Sequence, residues 1–597
     1  MPTELSPVFA SEPVLDQRPF EGAASGCGCA VCLGLAVVVE TDQAFGQSYL
    51  NADARAGSTE NGKISYSIDR AGLQMTGFNP VTMAPYPGWG GVAGQAYTVT
   101  YAYRAEAPLN MPDDTAGFVR FNPAQIAWTE MALLSWSDVA RITFVRVGTG
   151  SEGEEAFSNN ASILLGNYSS GAKGSAAFAN YPGNPSPTSG AGDVWINVTS
   201  GTNALPTLGN FGAQVLVHEL GHAIGLAHPG DYNADEDTVI TYATNAEYYE
   251  DTRQYTVMSY FSETNTGASY GSGRYAASPQ LDDIRAAQIE YGANMTTRTG
   301  DTVYGFNSNA ERPWFEAANS STRLIFAVWD AGGNDTFDFS GFSQAQLIDL
   351  REGFFSNVGA LIGNVAVAQG AKIENAIGGF GADTMNGNAL ANRLDGEGGA
   401  DRIFGGAGDD TIDGGNGSGY LRGDEGNDSL LGGSSFDDLN GNMGNDTAFG
   451  GLGDDWVVGG KDNDVLYGNE GGDLVYGNLG DDICIGGSGN DTLRGGQGSD
   501  SLMGDAGADY VSGDRGDDTM AGGAGADLFH SFTGADIDRV TDFSYAEGDR
   551  VLLDPGTVYS VAQVGADVVI TMGNPTDKMI LVGVQLSTLP DGWIFGF

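Results

Sequence analysis

Between Gly378 and His530 the chain divides without gaps into 17 nonapeptides, and the eighth position is apolar in every one, from Met385, Leu394 and Ile403 to Met520 and Phe529. A period this regular predicts a stack of short strands, none of which could bury its apolar face alone. Each unit starts with glycine, 14 carry glycine at the fourth position, and 15 carry aspartate at the sixth, Asn392 and Gly419 being the exceptions. Glycine permits the positive φ of tight turns, and an aspartate beside exposed carbonyls suits a cation. Other periods appear outside the array. Asn122 and Pro123 suit a helix start, and Ile126, Leu133, Trp136 and Ala140 follow at helical spacing. Ile142 to Val147 and Ile163 to Leu165 read as strands, as do Val568 to Ile570 and Met579 to Val582 beyond the array. Asp330 to Phe339 (DAGGNDTFDF) looks like an early partial unit.

Composition sharpens this pattern. Over 597 residues there are 93 glycines and 77 acids against 26 Lys plus Arg, a formal charge of -51. That sign excludes a basic nucleic-acid footprint and attraction to anionic lipid, and makes calcium or another cation the natural counter-charge. The array alone holds 29 acids against 6 bases, so it should not fold until bound cations offset the repulsion. Collagen is excluded by 20 prolines without a triplet period, and disorder by an apolar fraction of 41%. No apolar run approaches the roughly 20 residues of a membrane span. Acidic residues Glu4, Glu12, Asp16 and Glu21 precede the apolar stretch Ala30 to Val39, where a secretory signal would carry basic ones.

Three of only four histidines fall in one window, HELGHAIGLAH, as His218, His222 and His228 with Glu219 between the first two. On a helix, His218 and His222 project from one face and share one metal, while Gly225 ends the helix and lets His228 return to the same ion. Three imidazoles leave a zinc site open for catalysis. Thirty residues on, YTVMSYF resembles the methionine turn of metzincins, which implies Met258 as an apolar floor beneath the zinc ligands and Tyr260 facing the metal.

The nonapeptides resemble the calcium-binding RTX repeat, and the histidine string with its methionine turn resembles the metzincin signature. HPGDYNA, VMSYF and the array together resemble the serralysin family of secreted zinc metalloendopeptidases, from about Gly62 to the C-terminus; GKISYS, the helix from Ala124 and GDVWIN (Gly192 to Asn197) fit as well. The resemblance implies an α+β metzincin catalytic domain, an all-β parallel roll and a β-rich cap. It implies a zinc endopeptidase acting on proteins or peptides, with Glu219 as general base, His218, His222, His228 and Tyr260 as zinc ligands, and Tyr260 swinging away to stabilise the oxyanion. Gly192 to Asn197 is the family's strand beside the cleft, where a peptide would add as an antiparallel neighbour. One catalytic zinc and several structural calcium ions are expected, calcium at the sixth-position aspartates Asp383, Asp401, Asp410, Asp428, Asp437, Asp446, Asp455, Asp464, Asp473, Asp482, Asp491, Asp500, Asp509, Asp518 and Asp527.

The expected organisation is a pro-segment over 1–50, a catalytic domain over 51–300, a linker and start of the roll over 301–377, the repeat roll over 378–530, and a cap with secretion signal over 531–597. The apolar end, Trp593 to Phe597, reads either as part of an export signal for a type I secretion system or as an ordinary edge strand. The expected product is an extracellular monomer, made as a zymogen, with a proteinaceous inhibitor among its candidate partners. CGCAVC (Cys27, Cys29, Cys32) departs from the serralysin pattern. Idle thiols, a two-cysteine metal site, an intermolecular disulfide and a zymogen latch on zinc are the competing readings. Two other functions are weighed. A calcium-binding surface or adhesion protein with a degenerate protease domain conflicts with the intact Glu219 and histidines, and a toxin or lipase reading has no long membrane-active apolar stretch to support it.

Overall fold

The computed structural model describes residues 49–77, 85, 88–112, 115–171, 176–182, 190–232 and 239–596. The three N-terminal cysteines, Cys27, Cys29 and Cys32, lie outside the described residues. One compact unit, Ala44–Phe597, holds everything that follows.

Its first half is built on helices α1 (Ile68–Met75), α2 (Pro123–Val139), α3 (Phe211–Ile224), the single turn α4 (Tyr242–Asn245) and α5 (Leu281–Tyr291). The strands are β1 (Thr59–Glu60), β2 (Lys63–Ile64), β3 (Tyr97–Tyr103), β4 (Thr115–Val119), β5 (Ile142–Arg146), β6 (Ile163–Gly171), β7 (Ala177–Ala179) and β8 (Val194–Asn197). α2 begins where its sequence predicts: Asn122 and Gln125 form a reciprocal capping box and Pro123 occupies the first turn, where a missing N–H costs nothing. Ile126, Leu133 and Trp136 are buried, and the Trp136 indole N–H donates to the Val217 carbonyl at 3.1 Å, seating α2 on α3.

The sheet runs β5-β3-β6-β8-β7, with β4 also paired to β6. β3, β5, β6 and β8 are mutually parallel where paired, while β7 joins β8 antiparallel at the edge. This corrects the sequence reading of the strand beside the cleft. Gly192 to Asn197 contains β8, which is hydrogen-bonded on both sides and fully buried, so it has no free edge to offer a peptide. The edge belongs to β7, whose three residues are too short and too alanine-rich to announce a strand.

The second half is a parallel roll. Successive nonapeptides alternate between two sheets, so partners lie 18 residues apart: Leu421 pairs with Leu439, and Val457 with Val475. All 17 eighth-position side chains are at most 2% exposed. The pairing begins before the array, at Val303–Gly305 and Thr336–Asp338, and runs beyond it to Ile537–Val540 and Lys578–Leu581. The C-terminal Ile594–Gly596 is an edge strand, parallel to Val551–Leu553. Glycine is required sterically: a Cβ on Gly444, at φ +123°, would lie 1.7 Å from the Gly426 carbonyl oxygen.

The two halves share one apolar core. Phe355 packs edge-on against Tyr49 and Tyr255, with ring centroids 5.5 and 5.2 Å away, and Asp138 on α2 accepts bonds from Arg298 and Arg312. Because the roll core is one side chain wide, Leu439→Ala should cost about 2–5 kcal/mol, measured by urea unfolding in saturating calcium. A cost below about 1 kcal/mol would contradict a stacked core of this kind.

Candidate active site and cation ladder

α3 is capped by Asn210, whose side chain accepts from the Ala213 N–H at 3.0 Å, and ends at Gly225 with φ 121°. Leu226 N–H donates back to the Gly221 carbonyl at 2.9 Å, and this reversal returns His228 to the helix. Each histidine Nδ1 faces a backbone carbonyl: His218 that of Val257 (2.8 Å), His222 that of Leu226 (2.7 Å) and His228 that of Tyr232 (2.9 Å). A carbonyl only accepts, so each Nδ1 carries the proton and each Nε2 keeps its lone pair. Burial holds the imidazoles neutral, pushing His218 down to about 4 and His222 well below its usual range.

Those lone pairs converge. Nε2 of His228 lies 3.1 Å from that of His222 and 3.3 Å from that of His218. Nitrogens without protons cannot hydrogen-bond one another, so the cluster is unfavourable unless a cation sits between them. Tetrahedral zinc, with Zn–N of about 2.0–2.1 Å, spaces its ligands by about 3.3 Å, so the donor set fits that ion. Among the described residues this is the one cluster of three or more metal-ligating His, Cys, Asp or Glu side chains.

Glu219 lies on the same helix, buried, with Oε2 lacking a hydrogen-bond partner, and burial pushes its carboxyl up to about 8. A cation in the histidine cluster would bring it back down. Met258 is fully buried beneath α3, and a Cβ on Gly221 would sit 2.6 Å from its Sδ, so glycine lets the floor approach. The Tyr260 ring lies 4.5 Å from that of His228 and 5.9 Å from that of His218, and 38% of the residue is exposed. Tyr181, which the sequence reading did not single out, stands just beyond β7 with its ring 5.5 Å from His222. Its place in a loop left no periodic signal.

The roll carries a second constellation. At most rungs the sixth-position aspartate accepts, at Oδ1, the backbone N–H of the residue 18 positions earlier; Asp428 N–H donates to Asp446 at 2.8 Å and Asp464 N–H to Asp482 at 2.9 Å. The other oxygen, Oδ2, is buried without a hydrogen-bond partner in Asp401, Asp410, Asp428, Asp437, Asp446, Asp455, Asp464, Asp473, Asp482, Asp491, Asp500, Asp509, Asp518 and Asp527. Burial pushes these carboxyls up, to about 7 in Asp410 and Asp446 and about 8 in Asp464 and Asp500, with neighbouring carboxylates adding to it. Orphaned anionic oxygens repeated at one position fit a hard, oxygen-loving cation such as Ca²⁺.

Asp383 differs: its Oδ2 accepts the Gly379 N–H at 2.7 Å, so neither oxygen is orphaned. Asn392 places an amide where its neighbours place an acid, and its Nδ2 donates to the Glu374 carbonyl. Two further acids share the orphaned geometry outside the 17 units, Asp335 and Asp538. Asp335 was legible as the sixth residue of DAGGNDTFD. Asp538 follows a break in the nine-residue period, and burial together with nearby Asp518 pushes it up to about 9.

Three histidines, two on a helix and one on the turn that follows it, converge beside a buried glutamate and are joined to a roll of orphaned carboxylates; the first of these sites is that of a metal-dependent hydrolase. Comparison with known proteins agrees. The family described as Peptidase M10 serralysin C terminal matches residues 293–555. Metalloprotease AprA of Pseudomonas entomophila (strain L48) is 45% identical over 354 residues, 58% of this chain and 69% of that protein. Serralysin G of Dickeya chrysanthemi is 46% identical over 354 residues, 57% of this chain and 69% of that protein. Serralysin A of the same organism is 49% identical over 333 residues, 55% of this chain and 66% of that protein. The chain belongs to the serralysin family of metalloproteases.

The ladder carboxyls titrate higher in the folded chain than the ordinary 3.8, so the cation-free fold binds more protons than the unfolded chain between pH 4 and about 8. Their contribution is therefore present at low pH and lost as pH rises through 6 to 8. In chelator, the far-ultraviolet β signal of the roll should be lost as pH rises from 5.5 to 8, and saturating calcium should restore it. A chelated chain whose β signal rises over this interval would contradict the assignment.

Proposed function

We propose that this protein is a secreted, calcium-stabilised zinc endopeptidase that hydrolyses peptide bonds of extracellular proteins. The observation that carries the reading is the convergence of three backbone-oriented imidazoles beside a buried Glu219 whose Oε2 meets no hydrogen-bond donor. His218, His222 and His228 would hold zinc, with Tyr260 as a further ligand at rest. When bound, zinc supplies a Lewis acid that polarises the scissile carbonyl and acidifies water.

Glu219 accepts the proton of the attacking water and delivers it to the leaving amine. A carboxylate with a free, desolvated oxygen is suited to that exchange, because no hydrogen-bond donor must first be displaced. Tyr260 turns its hydroxyl toward the developing oxyanion and donates to it. A substrate chain adds to the free edge of β7 in the antiparallel sense, with main-chain hydrogen bonds fixing its register and Tyr181 beside it.

Calcium would occupy the orphaned oxygens of the roll. Where calcium is scarce, as in the cytosol, the ladder repels itself and the chain stays unfolded, which suits one-step export through a type I secretion system and folding outside the cell. Residues 1–50 serve as a pro-segment, with Cys27, Cys29 and Cys32 as its candidate zinc latch. A roll-only adhesion role is disfavoured, since a degenerate site would have no reason to keep Glu219 and all three Nδ1 pairings.

Glu219→Ala should retain one zinc per chain and an unchanged melting temperature while casein cleavage falls by about a hundred- to ten-thousand-fold, the range of a lost acid–base group. Hydrolysis near the wild-type rate would refute the assigned base.

A further inference from the structure

The three zinc-site carbonyls are not equally supported. Those of Leu226 and Tyr232 follow their histidines by four residues, whereas the Val257 carbonyl reaches His218 from 39 residues away. Something must hold that peptide in place. Asp283, on the first turn of α5, is fully buried. Its Oδ2 accepts the Val257 N–H at 2.7 Å and the Gln280 N–H at 2.8 Å, and its Oδ1 accepts the Thr256 hydroxyl at 2.5 Å. Thr256 Oγ1 in turn accepts the Met258 N–H at 2.9 Å. The amide N–H on either side of the Val257 carbonyl is thus anchored, directly or through Thr256, to one carboxylate.

We propose that Asp283 is a positioning residue of the metal site, fixing the ring of His218 through Thr256 and the Val257 peptide. The proposal rests on the reading of His218 as a zinc ligand. Three donors meet this side chain, so it must be acceptor-only: an asparagine would turn its NH₂ against at least one of them. The first turn of α5 is itself clamped. Arg55, fully buried, donates to both oxygens of Asp282 at 2.8 and 2.9 Å, and the Asp282 N–H donates to the Tyr255 carbonyl at 2.9 Å. Chain from the start of the described residues therefore reaches the metal site through α5. Groups that orient a ligand from outside its coordination sphere set metal affinity, typically by 10–100-fold.

The test uses the full chain in saturating calcium, with zinc release to a chromophoric chelator and the visible absorption of the cobalt-substituted site as readouts. Thr256→Val, close in shape but without the hydroxyl, should release zinc about ten-fold faster or more and shift the cobalt bands, and Asp283→Asn should do the same. Thr256→Ser should stay within about two-fold of wild type, because it keeps the hydroxyl. Leu439→Ala, which destabilises the roll far from α5, separates loss of stability from loss of positioning. Wild-type release and cobalt bands in Thr256→Val, or equal acceleration in Leu439→Ala, would overturn the proposal, and Thr256→Val keeps it testable if Asp283→Asn does not fold. Failure of the wild-type chain to bind zinc would instead defeat the three-histidine reading itself.

Discussion

Fourteen aspartate oxygens in the repeat units of the roll are buried and meet no hydrogen-bond donor. A buried carboxylate either takes up a proton or finds a cation, and here each carboxylate also stands beside others of the same charge. Everything else in the second half serves this ladder. First- and fourth-position glycines let the backbone close around the carboxylates, the eighth-position side chains supply a core one residue wide, and the Oδ1 atoms hold each rung to the rung two units on. Without a counter-ion, the apolar gain of one side chain per unit works against the desolvation of a charge in almost every unit.

The catalytic half meets the roll through direct contact. Tyr49 and Tyr255 pack on Phe355, Arg298 and Arg312 hold Asp138, and the apolar core continues across both halves. Tyr255 lies next to Thr256 and Val257, so the wall that meets the roll is continuous in sequence with the peptide that orients His218. An oxygen ladder in one half and a nitrogen cluster in the other are thereby joined through one packed core.

The most regular features were the most legible in the sequence. A fixed period of nine displayed the roll, because every unit solves the same steric problem, and the histidine string displayed the metal centre, because a helix and one glycine turn suffice to bring those residues together. α2 was readable from its cap and its apolar face. The edge of the active-site sheet was not. Within Gly192 to Asn197, Val194 to Ile196 form an apolar run buried between two neighbours, whereas β7, at the end of the sheet, is short and nearly featureless. Asp283 was missed for a related reason: it acts across the fold, so it has no local pattern to betray it.

The central claim is that cation binding to the ladder and folding of the roll are one event. Far-ultraviolet circular dichroism of the full chain during a calcium titration tests it most directly. The account predicts a cooperative gain of β-structure from a chelated state that lacks the roll signal at pH 8. A chelated chain at pH 8 with its full β signal, unchanged on adding calcium, would contradict it.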